Sequence, residues 1–410
     1  MAKQIGLFGF GVVGQGYYSI AKKHQQNLLP KTIVVQNKKK ERNPELSFSF
    51  DPNDILDSNY DIGLELISDP EEAYHIVSTL LKSGKKVVSA NKKMLAAHLP
   101  EFLQLEKEFG GSLLYEAAAA AGIPIITTLD THFAGDQIEK LEGILNGSSN
   151  YILSQLFEEG LTFEEALKLA QDNGFAEADP TLDINGSDVS SKLAILILHA
   201  FGKFVPEKDI PTLGVQHIRK EDVILAQKLG LKIKLIAKAQ ITADGITAFI
   251  LPSLVNPKNA LYWVENEYNS VKIISRNLGE QFYKGKGAGS LPTGASVYAD
   301  LTKSERGYSY SYDKLNGELP KTFQPKSGNL EVIVRAHSEN AIKSLVPEAE
   351  IVFNQEAYWS VATISAQLLQ EKQTLIQEEE ISIVALNETA TKKDVLQALK
   401  EEVKVTISLN

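Results

Sequence analysis

The stretch QIGLFGFGVVGQG, from Gln4 to Gly16, decides the fold. It opens as a short apolar strand, and Gly9, Gly11 and Gly14 follow as G-x-G-x-x-G with Phe10, Val12 and Val13 between them, just where a helical pattern begins. The first glycine permits a tight turn, the second lets the backbone approach a pyrophosphate, and the third lets helix and strand pack closely. The helix N-terminus then favours the phosphate charge. Residues Gly9 to Gly14 are therefore read as dinucleotide-binding, with a purely structural glycine turn as the alternative.

Outward from this loop, TIVVQ (from Thr32), DIGLELI (from Asp61), KKVVSA (from Lys85) and SLLYEAA (from Ser112) are further short apolar strands. Helical patterns fit between them, such as EEAYHIVSTLLKSG, where Ala73, Ile76, Val77, Leu80 and Leu81 recur at helical spacing before Gly84. Alternating strands and helices predict an α/β fold, a Rossmann-type doubly wound parallel sheet over residues 1–136. About 20 residues past Gly14, an NAD-binding domain places an acid for the ribose hydroxyls. This chain has Gln36 and Asn37, then Lys38, Lys39, Lys40 and Arg42. Such cations would welcome a 2′-phosphate, so NADP(H) is the expected nucleotide, Lys38 an expected contact, and NAD(H) the alternative. A solvated basic loop is the bland reading.

After Gln137 the texture changes to long strand candidates, QIEKLEGILNG, LKIKLIAKAQITADGITAFILPSLV and SVKIISRNLGEQFYKGKG, with helices between. We expect an α+β substrate-binding and dimerisation domain over 137–285. LPTGASVYADLTKS reads as a helix, so 286–323 is expected to return to the first domain. LEVIVRA, AEIVFN, AYWSVATI, EEISIVALN and EVKVTISL read as strands of a small C-terminal α+β module over 324–410.

Composition narrows the function. The chain of 410 residues is 43% hydrophobic and 23% charged, as in ordinary globular domains. Its net charge of −10, with cations scattered apart from the short Lys38–Lys40 run, argues against nucleic acid as a partner. No apolar run approaches the ~20 residues of a membrane span, and no signal-peptide layout is visible, so a cytoplasmic protein is expected. With no cysteine there is no disulfide, thiolate metal site or thiol nucleophile, and the seven histidines show no HExxH-like pairing.

GFAEADPTLDINGSDVSSKLAIL, from Gly174 to Leu196, crowds Glu177, Asp179, Asp183 and Asp188 ahead of Lys192. A helix from near Ser187 places Asp188 and Lys192 at i, i+4, in the favourable order for an ion pair. The apolar run behind them implies a buried helix with Lys192 on its shoulder. From the residues alone, a structural ion pair and a working amine are both open.

The segment AQDNGFAEADPTLDINGSDVSSK, from Ala170 to Lys192, resembles the signature of the homoserine dehydrogenases throughout its length. SANKKMLA around Lys92, YEAAAAAGIPII from Tyr115, LNGSSNYIL from Leu145 and GKGAGSLPTGASVYAD from Gly285 agree, so the resemblance covers about the first 300 residues. It implies reversible conversion of L-homoserine to L-aspartate 4-semialdehyde with NAD(P)(H), on the path to threonine, methionine and isoleucine. It also implies an acid/base role for Lys192, a lysine reaching cofactor and substrate at Lys92, and binding of the homoserine ammonium by Glu177. Asp183 and Asp188 would hold the substrate and orient Lys192, with Asn146 and Tyr151 on the substrate side. For NGSSNY, a helix cap by Ser148 or Ser149 is an equal alternative. Gly287, Ala288 and Gly289 match a later cofactor-contacting loop, with a plain hairpin-to-helix turn as the alternative. Glu116 with the carbonyls of Ala119, Ala121 and Ile123 matches a monovalent-cation segment, Na⁺ for example, although the five-alanine run departs from the commoner versions. A homodimer is implied.

Many members carry an amino-acid-sensing ACT-type domain at the C-terminus, but no Asp-x-Pro-Gly-like turn follows LEVIVRA, and sensing stays open. An aspartate-semialdehyde dehydrogenase would need a cysteine. A sensor that had lost catalysis would be expected to lack Lys192 or Glu177.

Overall fold

The structure is a computed structural model that describes residues 3–24, 26–43, 45–317, 322–324, 328–354, 357–386 and 390–408. The chain separates into two compact units. One comprises Met1–Asp136, Ser191–Glu207 and Gly285–Glu318; the other comprises Gln137–Ser190, Lys208–Lys284 and Leu319–Asn410.

The first unit contains a six-stranded sheet of β1 (Ile5–Phe8), β2 (Thr32–Val34), β3 (Phe48–Ser49), β4 (Ile62–Glu65), β5 (Lys86–Ser89) and β6 (Ser112–Leu114). All pairings are parallel and the order is β3-β2-β1-β4-β5-β6. β1 and β4 are buried at every position, because helices cover both faces of a parallel sheet and leave no solvent side for polar residues. The order reverses at β1, which fixes the ligand crevice at the C-terminal ends of β1, β2 and β4. β3, two residues long, has too little apolar periodicity to be seen in sequence.

The second unit holds a nine-stranded sheet. Its first five strands are β7 (Ile138–Ile144), β8 (Lys232–Thr242), β9 (Gly245–Val255), β10 (Tyr268–Ser275) and β11 (Gly279–Lys286). The C-terminal strands are β12 (Asn329–Ala336), β13 (Ile351–Asn354), β14 (Ala357–Ser365) and β15 (Ser382–Ala385). The order is β11-β10-β7-β8-β9-β15-β12-β14-β13. β8 and β9 form a hairpin whose two-residue turn is Ala243–Asp244, with Gly245 at φ 133° on its far side.

Among the described residues, the C-terminal strands join this sheet where Ala385 of β15 pairs with Ser253 of β9. They are further held by a buried ion pair. Arg335 of β12 donates from Nε and Nη2 to the Asp222 carboxylate at 2.9–3.1 Å, and Ser382 Oγ donates to the same group. Val332, Val334, Ile342, Leu345, Ile364 and Ile383 form the core beneath, into which Leu251 of β9 also packs.

One expected strand is absent. Of EVKVTISL, the part EVKVTIS, Glu402–Ser408, belongs to the helix Lys392–Ser408, and Leu409 lies outside the described residues. Thr391 and Asp394 cap its start reciprocally, and Val395 and Leu399, one turn apart, are buried. The helix so nucleated runs through the alternating segment. Asn387, at the end of EEISIVALN, lies outside the described residues.

Candidate active site

Side chains are missing from the glycine loop where a nucleotide would need room. Gly9 sits at φ 92°, and a Cβ there would stand 2.5 Å from the Leu66 carbonyl oxygen. A Cβ on Gly14 would stand 2.6 Å from the Gly9 carbonyl, whereas one on Gly11 would meet nothing within 4 Å. Gly9 and Gly14 therefore shape the turn, and Gly11 leaves open backbone beside the cavity. That cavity measures ≈480 Å³ and is lined by Gly9, Phe10, Gly11, Gln36, Asn37, Lys40, Arg42 and residues 66–69, among others. The size and the bare backbone at a helix N-terminus fit a dinucleotide.

Of the four cations after Asn37, Lys40 and Arg42 line the cavity. Lys38 does not; its ammonium lies 5.5 Å from the centre of the Phe50 ring. Arg42 stacks on Phe48 and donates to the Lys40 carbonyl at 3.0 Å, so its guanidinium is held in place. Asp69 and Glu72 also line the cavity, acids that the sequence reading passed over.

The loop at Gly287, Ala288 and Gly289 leads into the helix Ser290–Glu305, with Gly289 at φ 113°. This helix packs directly on Val12–His24. A Cβ on Gly16 would stand 1.9 Å from the Ser290 carbonyl, and one on Gly294 2.4 Å from the Tyr17 nitrogen. Ser290 Oγ also donates to the Val12 carbonyl at 2.8 Å. Gly16 and Gly294 escaped the sequence reading, and their signal was a glycine inside a helical pattern, where it costs about 1 kcal/mol unless close packing requires it.

Lys92 is the first residue of the helix Lys92–Phe109 and is half-buried. Asn91 caps that helix, accepting from the Met94 N–H at 3.0 Å.

Asn146 organises the acidic stretch. Its Nδ2 donates to Asp183 Oδ1 at 2.7 Å and to Asp188 Oδ2 at 2.9 Å, while its Oδ1 accepts from the Ser149 N–H at 2.8 Å. The cap of the helix Gly147–Glu158 is thus Asn146, not Ser148 or Ser149, and the same side chain serves the carboxylates. Ser148 donates instead to the Phe175 carbonyl. Two carboxylates on one amide repel each other, and an added cation relieves that repulsion.

Asp188 is buried, and so is Lys192 one turn further along the helix Ser187–Phe201; its 8% exposure is less than a shoulder position suggested. Glu177 is exposed and Asp183 half-buried. Tyr151 is buried, its hydroxyl accepting from Asn173 and its ring 4.7 Å from that of Phe175.

Glu116 is buried, with its carboxylate committed to the N–H groups of Ile126 at 2.7 Å and Thr127 at 2.8 Å and to the Thr127 hydroxyl. Ala121 adopts φ 44°, ψ −103°, a strained turn for a residue with a Cβ. These three donors occupy much of the acceptor capacity of the carboxylate. Among the described residues, no cluster of three or more His, Asp or Glu side chains could hold a metal, and no helix is long and apolar enough to cross a membrane.

A family model described as homoserine dehydrogenase matches residues 124–302. The homoserine dehydrogenase of Bacillus subtilis (strain 168) is 37% identical over 312 residues, 73% of this chain and 72% of that protein. Among solved structures, a homoserine dehydrogenase from Thiobacillus denitrificans matches with a TM-score of 0.80 at 29% identity, covering 95% of this chain and 99% of its own. A hyperthermophilic archaeal homoserine dehydrogenase mutant in complex with NADPH matches with a TM-score of 0.66 at 26% identity, covering 76% of this chain and 100% of that one.

Proposed function

Because the chain belongs to the homoserine dehydrogenase family, we propose that Lys192 moves the proton at the substrate oxygen and that the Asn146–Asp183–Asp188 cluster holds the substrate. The overall reaction is the reversible interconversion of L-homoserine and L-aspartate 4-semialdehyde, a CH–OH oxidoreduction with a pyridine nucleotide in threonine, methionine and isoleucine biosynthesis. When bound, the nicotinamide supplies or accepts the hydride at its C4.

The observation that carries the residue assignment is the double hydrogen bond from Asn146 to Asp183 and Asp188. It keeps two negative charges together where the substrate ammonium would neutralise them, and Asp188 stands one helical turn before Lys192. Glu177 adds a third acid for that ammonium, and Tyr151 lines the substrate side. Lys92 reaches towards both nucleotide and substrate as a second cation.

On the nucleotide side, the loop from Gly9 to Gly14, with Phe10, Val12 and Val13 in it, carries the pyrophosphate, and the Gly287–Gly289 segment contacts the cofactor. NADP(H) is the preferred form on this reading, supported by Lys40 and Arg42 in the cavity lining and by the NADPH complex of the archaeal relative; NAD(H) would be the weaker substrate. A monovalent cation such as Na⁺ would bind at Glu116 and the carbonyls of Ala119, Ala121 and Ile123. Residues 1–136 with 286–323 serve the nucleotide, 137–285 the substrate and the two-fold contact of a homodimer, and 324–410 form an appended module. The enzyme is proposed to work in the cytoplasm.

The experiment is a turnover assay at the nicotinamide absorbance with L-homoserine, L-serine and L-threonine. Activity confined to homoserine, and abolished by Asp188→Ala combined with Asp183→Ala, supports the site. Equal turnover by that double variant would reject it. Light scattering should report about twice 45 kDa.

A further inference from the structure

Glu65 ends β4 and is fully buried, at 0% exposure. Burying a carboxyl costs several kcal/mol unless its hydrogen bonds return most of it, and an apolar residue would serve a sheet interior at lower cost. Burial, with a smaller push from the Glu72 charge, raises this carboxyl to about 7 in spite of the opposing hydrogen bonds from Ser89 and Ile67. What the side chain does instead is join two loops. Oε1 accepts from the Ile67 N–H at 2.8 Å, and Oε2 accepts from the Ser89 hydroxyl at the end of β5.

Each arm leads to the active site. Ser89 Oγ accepts from the Asn91 N–H at 3.1 Å, and Asn91 caps the helix whose first residue is Lys92. The Asn91 amide returns to the first arm, donating to the carbonyls of Ile67 at 3.2 Å and Asp69 at 3.3 Å. Residues 66–69 are a wall of the nucleotide cavity, and the Leu66 carbonyl is the atom that a Cβ on Gly9 would strike. Glu65, Ser89 and Asn91 therefore form a closed polar brace between the cavity wall and the Lys92 helix, and all three are buried.

We propose that Glu65 is a positioning residue for the dehydrogenase reaction: through Ser89 and Asn91 it sets the helix turn that presents Lys92, and through Ile67 it sets the nucleotide-cavity wall. The proposal rests on the reading of Lys92 as a residue that reaches cofactor and substrate. Neither Glu65 nor Ser89 need touch a substrate for this, since a misplacement of 1 Å at a reacting group can cost on the order of 100-fold in rate.

The two arms separate experimentally. Ser89→Ala cuts the link to Asn91 while Ile67 stays held, so kcat should fall about tenfold with the NADPH Kd, read by fluorescence, within about twofold of wild type. Glu65→Ala cuts both, so kcat should fall at least as far and the NADPH Kd should rise about fivefold or more. Glu65→Gln keeps an acceptor in place and should recover much of both losses. Should Glu65→Ala fail to fold, Ser89→Ala carries the test alone. Lys92→Ala is the control. If Lys92→Ala is impaired while Ser89→Ala turns over as wild type, the brace is only structural and the proposal is overturned. If Lys92→Ala itself turns over normally, the role of Lys92 falls, and the proposal with it.

Discussion

Asn146 Nδ2 lies 2.9 Å from Asp188 Oδ2, and the same nitrogen lies 2.7 Å from Asp183 Oδ1. One amide thus caps a helix and holds both acids. Asn146→Ala should lose the cap, about 1 kcal/mol of stability, and raise the homoserine KM at least as much as it lowers kcat. Melting and steady-state kinetics on one preparation check both parts. An unchanged KM would leave Asn146 as a cap alone.

Lys192 and Glu177 should fail differently. A positioned proton-transfer group is worth on the order of 10²–10⁴ in rate, so Lys192→Ala should lose at least 100-fold in kcat while binding NADPH normally. Lys192→Arg should also be poor, since guanidinium does not deprotonate near neutral pH. Glu177→Ala should mainly raise the homoserine KM. If Lys192→Ala kept a tenth of wild-type turnover when folded and saturated, proton transfer would pass to Lys92 or a bound water.

For nucleotide choice, Lys40 and Arg42 line the cavity and Lys38 does not. Lys40→Ala with Arg42→Ala should lower the NADP⁺ to NAD⁺ ratio of kcat/KM by about tenfold or more, the worth of one charged hydrogen bond. Lys38→Ala should leave that ratio unchanged. The reverse pattern, with Lys38 decisive, would show that the basic loop moves when nucleotide binds.

The Arg335–Asp222 pair is buried on both sides at 2% side-chain exposure. Removing one partner strands the other charge, so Arg335→Ala should cost about 3–5 kcal/mol in denaturant unfolding. Arg335→Met with Asp222→Leu should recover much of that loss. Additive losses in the double variant would contradict a coupled pair.

His199 is buried, in contact with the Tyr115 hydroxyl at 2.8 Å, and burial depresses its pKa to about 4 from 6.5. Its folded value lies below the unfolded one, so the unfolded chain binds the extra proton between pH 6.5 and 4. The contribution of a neutral His199 is therefore complete above pH 6.5 and is lost as pH falls towards 4, about 3 kcal/mol in all. Melting temperature against pH for wild type and His199→Gln should differ in slope within that window. Parallel curves would show that His199 stays accessible to protons in the fold.

The nucleotide-binding half was legible in the sequence because its signals are local. A glycine spacing, a strand before it and a helix after it lie within Gln4–Gly16, and a parallel sheet buried on both faces writes itself as short apolar runs such as Ile62–Glu65. The placing of Asp188 and Lys192 along one helix was likewise visible, since a spacing of four residues is one turn. The family followed from the same stretch.

What only the tertiary structure decided depends on residues far apart in the chain. Asn146 meets Asp188 across 42 positions and Arg335 meets Asp222 across 113. Gly16 needs its missing Cβ because Ser290 passes over it. Which lysine enters the cavity, whether Asn146 or a serine caps the helix, and why Glu65 is buried are all set by long-range packing. No local pattern encodes such choices, because a hydrogen bond between distant loops leaves no periodicity in the chain. The sequence by itself determined the chemistry available; the fold decided which of those groups face one another, since only packing can hold two carboxyls and an amide at hydrogen-bond distance against their hydration.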